Sequence, residues 1–229
     1  LNAGEAAEFA AASMVQFGLQ GKDVTHIADL LSAAANKAQG EVADFGNALK
    51  FVGPQAASMN VSIDETVGAL ASFAQNGILG EMAGTSLRGV LLALTSPADS
   101  ATKEMQQLGI VTADGASKLF DAQGKFLGLA NMAGVLQTAM KDLTDEQRSN
   151  ALGQIFGNKQ VTAATILIKE GAAGVEDWTN KVNDAGIAAR VARDKLDSLT
   201  GGAQKLSSAW ESFVLTVEDG KGPIGKAIQ

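Results

Sequence analysis

Leu87, Val90, Leu91 and Leu94 repeat at i, i+3, i+4 and i+7, which is one apolar face of an α-helix. The same period marks out most of the chain. Residues 5 to 20 read as a small-residue helix with Phe9, Ser13 and Phe17 on one side. Asp23 can cap a second helix to about Lys37, carrying Ile27, Leu30, Leu31 and Ala34, with Gly40 as its stop. Val42, Phe45, Leu49 and Val52 predict a third, ended by Gly53-Pro54. Ser62-Ile63-Asp64-Glu65 has the form of a capping box, with Glu65 reaching back to the Ser62 backbone, and opens a helix through Ala74. Ser96 at the N-cap and Pro97 at the first position predict a helix running to Gly109. Leu129 to Met140 and a second capping box, Thr144 to Gln147, continue the series. Residues 160 to 170 are apolar on most sides and predict a buried helix. Two longer helices follow, over 174–199 with a break at Gly186 and over 203–218, separated by Gly201-Gly202. Strand is expected only near 118–127, where Ala122-Gln123-Gly124 can turn a small hairpin.

The pattern has one internal conflict. Gly77, Gly80, Gly84 and Gly89 interrupt a segment that otherwise reads as helix, and an interior glycine costs about 1 kcal/mol relative to alanine. Close approach of another backbone would offset that cost, which predicts Gly80 and Gly84 on a packed face. The alternative is a helix that starts only after Gly84. Arg88, off the Leu87/Leu91/Leu94 face, is expected to be structural, bound to helix C-terminal carbonyls or to Asp64 or Glu65.

Composition sharpens the class. Abundant alanine, no tyrosine and 3 prolines in 229 residues favour a mainly α, compact multi-helix domain. A net charge of −7 and scattered basic residues argue against direct nucleic-acid binding. There is no cysteine, so disulfides and thiolate metal sites are excluded. The longest apolar run, Val90 to Leu94, is far short of the ~20 residues needed to span a bilayer. The chain begins at Leu1 rather than Met, as expected for a piece of something longer.

The candidates for chemistry are thin. Ser100 and Lys103 match S-x-x-K, the minimum for a serine hydrolase with a lysine base, but no companion motif accompanies them. His26 is the single histidine, too little for a histidine-based metal site. Gly153 to Lys159 half resembles a phosphate loop but has the wrong spacing, and Gly157 reads better as a helix stop. Asp121 to Gly124 lacks the further acids of a calcium loop. No catalytic, metal or cofactor site is expected. Leu206, Trp210, Phe213, Val214 and Val217 form an apolar stripe at helical spacing. Core is the plain reading, and an interaction surface anchored by Trp210 and Phe213 is the other.

Four stretches resemble the core region of phage tail tape measure proteins. They are Asn60 to Thr66 with Ala69 to Ala71, Asn76 to Ile78 with Gly80, Gly84 and Arg88, Phe120 to Phe126, and Leu143 to Arg148 with Ile155 to Gly157. They stand in the family's order from about residue 25 to about 217. Gln123 replaces a frequent acid and Thr144 a usual serine. The resemblance implies a structural virion protein of the phage tail, made in the host cytoplasm, acting in tail assembly, length determination and genome delivery. It implies self-association as a trimer or hexamer, contacts with tail tube and tail-tip proteins, and an assembly chaperone. It implies no enzyme, and membrane contact only elsewhere in the full-length chain. The expected organisation is a leading helix over 1–24, a helical core over 25–200 and an amphipathic helix with linker over 203–229. The alternative is a helical interaction or membrane-active module of another virion or secreted protein.

Overall fold

A computed structural model describes residues 3–196. The chain divides into two compact units, Leu1–Gly186 and Ile187–Gln229. In the second, residues 187–196 are helical. The stripe Leu206, Trp210, Phe213, Val214 and Val217 and the helix expected over 203–218 lie outside the described residues.

The first unit is built of helices: α1 (Ala3–Phe17), α2 (Val24–Lys37), α3 (Val42–Ser58), α4 (Ile63–Gln75), α5 (Gly80–Thr95), α6 (Asp99–Gln107), α7 (Leu129–Ala139), α8 (Asp145–Phe156) and α9 (Val161–Val182). α4 is its axis. Every residue from Thr66 to Ala74 is buried, so this helix is covered on all sides. α9 covers one side of it, α3 and α2 another. α3 in turn carries α5 and α1, and α9 carries α7. Phe73, Ile27, Leu49, Leu70, Leu87, Leu91 and Met132 are among the largest fully buried side chains, so the core runs through the α5–α3–α4–α9–α7 stack.

Alanine and glycine set the spacing of that stack. A Cβ placed on Gly68 of α4 would stand 2.8 Å from the Cα and N of Thr179 in α9. The two helices therefore touch backbone to backbone. Ser62 accepts from the Glu65 N–H at 3.1 Å and opens α4, and Thr144 with Gln147 forms the second capping box reciprocally.

Several expectations are corrected. No β-strand forms among the described residues, and the hairpin expected near 118–127 reduces to one antiparallel bridge between Phe120 and Phe126. The cause is local. The Asp121 carboxylate accepts from the N–H groups of Gln123 and Lys125 at 2.9 and 2.8 Å, a turn that competes with a ladder. Pro54 does not end α3, which runs to Ser58. Val52, Gly53 and Ala56 are buried around it while Pro54 faces solvent, and packing outweighs the lost N–H. Ser96 follows the last residue of α5 and does not cap α6, which starts at Asp99 after Ala98. The helices expected over 160–170 and from 174 do form, as the two arms of α9 joined through Gly171, which is out of helical geometry.

Candidate functional site

α5 begins at Gly80, so Gly84 and Gly89 are helix residues and not loop. Gly84 lies against α3: a Cβ there would stand 2.2 Å from the Ala48 carbonyl oxygen and 2.9 Å from the Ala48 Cα. Gly80 differs. Its φ is +56° and the nearest atom to a Cβ would be Asp44 Oδ1 at 3.6 Å, so it serves the turn into the helix and not a close contact.

Arg88 is exposed. Among the described residues it forms no ion pair or hydrogen bond, which corrects the expected link to Asp64 or Glu65. Both acids are engaged elsewhere. Asp64 Oδ1 is 3.0 Å from His26 Nε2. Arg88→Ala is accordingly expected to change the free energy of unfolding by less than about 0.5 kcal/mol. Urea midpoints of the two chains check this.

Glu65 has a role that its local sequence does not announce. Its carboxylate does not reach back to Ser62 but forward to α7, accepting from the Ala130 N–H at 3.0 Å. Gly128, the N-cap of α7, has no side chain to do so, and the first N–H groups of a helix need an acceptor. Burial pushes the Glu65 carboxyl above the ordinary glutamate range, and the charge of Glu176 adds to this. The N–H groups of Ala130 and Leu129 pull the other way. The folded chain therefore holds this proton more tightly than the unfolded chain. The contribution of Glu65 to stability is fully present below the unfolded value of about 4.3 and is lost as pH rises through the raised folded value. Glu65→Gln keeps an oxygen acceptor and does not titrate. Its stability relative to wild type is expected to increase from pH ~4 to neutrality, read as paired urea midpoints. Parallel curves would contradict the assignment.

The other polar ties also link distant segments. Asp29, 5% exposed, accepts from the Gly186 N–H at 2.7 Å. Its place beside Ile27 and Leu30 on the buried face of α2 was the signal that it needed a donor. Glu170 Oε1 accepts from Ser72 Oγ and Trp178 Nε1 at 2.9 and 3.2 Å. Nothing in the sequence marked those partners.

No reactive constellation is assembled among the described residues. Ser100 and Lys103 are both exposed on α6 and are not hydrogen-bonded to each other. His26 meets Asp64 but no hydroxyl. Among the described residues no group of three His, Asp or Glu side chains is placed to hold a metal ion, and no helix is long and apolar enough to cross a membrane. A cleft of about 400 Å³ lies over α7, lined by Leu108, Lys118, Asn131, Val135, Thr138 and Ala172 among others. Lys118 is the one titratable side chain in its lining, so it offers no acid–base pair.

Residues 1–157 match the family described as phage-related minor tail protein. Over 212 residues the chain is 32% identical to the "Tape measure protein" of Pneumococcus phage Dp-1, covering 92% of this chain and 18% of that protein. It is 28% identical over 201 residues to the "Probable tape measure protein" of Escherichia phage P2, covering 86% of this chain and 24% of that protein. The chain thus spans less than a quarter of either relative's length. No solved structure matches it.

Proposed function

The chain belongs to the phage-related minor tail protein family, and from that premise we propose that it is a structural domain of a tail tape measure protein. The observation that carries this reading is the alignment with a protein of that name across 92% of the chain. A structural role accords with a fold whose polar side chains tie helices together and whose reactive side chains stand apart. The domain takes part in tail assembly and length determination, and leaves through the tail during genome delivery. It has no catalytic step. It self-associates with tail symmetry as a trimer or hexamer and touches the tail tube, the tail tip and an assembly chaperone. The core spans residues 25–200, with the segments 1–24 and 203–229 leading in and out.

Two experiments test this. A tag inserted after Gly115, in the exposed turn before Ser117, should label tails in electron micrographs of assembled virions. Label confined to free protein and absent from tails would refute the tail assignment. The stripe at Trp210 and Phe213 is the proposed contact between copies. Trp210→Ala combined with Phe213→Ala is expected to lower the solution mass to that of a monomer and to halt tail assembly, since aromatic anchors dominate such contacts. Normal tails and an unchanged mass would remove that surface from consideration. Passage through a tube requires unfolding, so the chain should melt well below about 90 °C.

A further inference from the structure

α9 is one helical element broken in its middle. Within Val161–Val182 only Gly171 leaves helical dihedrals, at φ 63° and ψ −170°, a region open essentially to glycine. In an unbroken helix the Ile168 carbonyl would accept from the N–H four residues on, that of Ala172. Here it accepts from Gln137 Nε2 of α7 at 2.9 Å. Gln137 also fills the space beside the break, for a Cβ on Gly171 would stand 2.5 Å from its Oε1. Glu170 closes the other side, taking donors from Ser72 of α4 and from Trp178. Residues eight apart in a continuous helix are separated by ~12 Å along the axis. The 3.2 Å bond between Glu170 and Trp178 spans the break between them.

We propose that α9 is a two-state element. It is kinked while Gln137 occupies the Ile168 carbonyl, and it closes into one continuous helix over residues 161–182 when α7 withdraws. Two opposing terms set the balance. The kink keeps Val175, Trp178 and Val182 buried. Closure returns Gly171 to helical dihedrals and frees it from a conformation that other residues reject. α7 is the clasp: its Gly134 lies against the Cβ of Ala172, immediately after the break. The inference rests on α9, α7 and α4 alone and holds whatever the chain does in a virion.

The chain lacks cysteine, so a pair of nitroxide labels can be placed cleanly by Thr162→Cys and Asn180→Cys, both at exposed positions of α9. Eighteen residues of continuous helix separate the label sites by ~27 Å, and the kinked form is shorter. Gly171→Ala in the labelled chain is expected to move the distance to ~27 Å and to raise far-ultraviolet helicity. In a Trp210→Phe background, which leaves Trp178 as the one indole, the emission should shift to the red. Gln137→Ala should leave Gly171 free to kink but add a population at the long distance. A Gly171→Ala chain that keeps the short distance, or that loses helicity, overturns the two-state reading. A Gln137→Ala chain with wild-type distances alone overturns the role of Gln137.

Discussion

Gly84→Ala is expected to destabilise the chain by about 3 kcal/mol, the upper end of what one added methyl costs in a packed interior. The added Cβ would stand 2.2 Å from a carbonyl oxygen of α3. That atom belongs to a helix backbone and has no rotamer to change, so α3 and α5 must move apart. Both are anchored. Ala83, Leu87, Val90, Leu91 and Leu94 of α5 are buried, as are Phe45, Ala48, Leu49 and Val52 of α3. Parting them opens voids along the whole contact. The gain in helix propensity, about 1 kcal/mol, offsets only part of this. Gly89→Ala is the control. Its Cβ would meet Gln160 Nε2 at 2.3 Å, the far end of a side chain that can swing aside. Thermal unfolding should show a drop of about 6–12 °C for Gly84→Ala and little change for Gly89→Ala. Equal shifts in the two variants would mean that close backbone approach is not what selects glycine at position 84.

Phe73→Ala is expected to cost still more, about 4 kcal/mol. Phe73 is fully buried in α4, the helix covered on all sides. Collapse around the vacated ring would need α3 or α9 to approach α4 further. The Gly68–Thr179 contact already has the α4 and α9 backbones at their limit, so much of the cavity should persist. Domains of ordinary stability have about 5–15 kcal/mol in total, so this change removes a large part of the margin. Phe120→Ala provides the comparison. Phe120 is half-buried and pairs with the Phe126 ring at 5.6 Å, where water can fill the space. The urea midpoint should fall much further for Phe73→Ala than for Phe120→Ala.

What could be read from the chain beforehand was whatever is decided within one helical turn. Ser62 and Thr144 lie within hydrogen-bond reach of their N3 residues, and both caps form as the sequence implied. The apolar face of α5 is likewise set by its own spacing. Apart from the hairpin, lost to the local Asp121 turn, and the Ser96 cap, the expectations that failed depended on partners far away along the chain. Pro54 looked like a helix stop because its cost is local, whereas the burial of Val52 and Ala56 that overrides it comes from packed neighbours. Glu65 looked like half of a capping box, yet the unsatisfied N–H groups of α7 claim it from 65 residues away. Arg88 looked like a pairing residue because it interrupts an apolar helix, but its side chain falls on the exposed side. The break between the helices read over 160–170 and from 174 was legible, but Gln137, which stands beside Gly171 and holds it, was not.

The pairing of α4 with α9 also has a consequence for synthesis. α4 ends at Gln75 and α9 at Val182, so 182 − 75 = 107 residues must be added before the covering helix is complete. At ribosomal speeds of about 5–20 residues per second, that takes roughly 5–20 s. For that interval the nascent chain carries a helix apolar on all sides with one side uncovered. The finished domain has its own cover, whereas the growing one must borrow it from elsewhere. A holding factor acting during translation would therefore find its target in the stretch from Thr66 to Ala74.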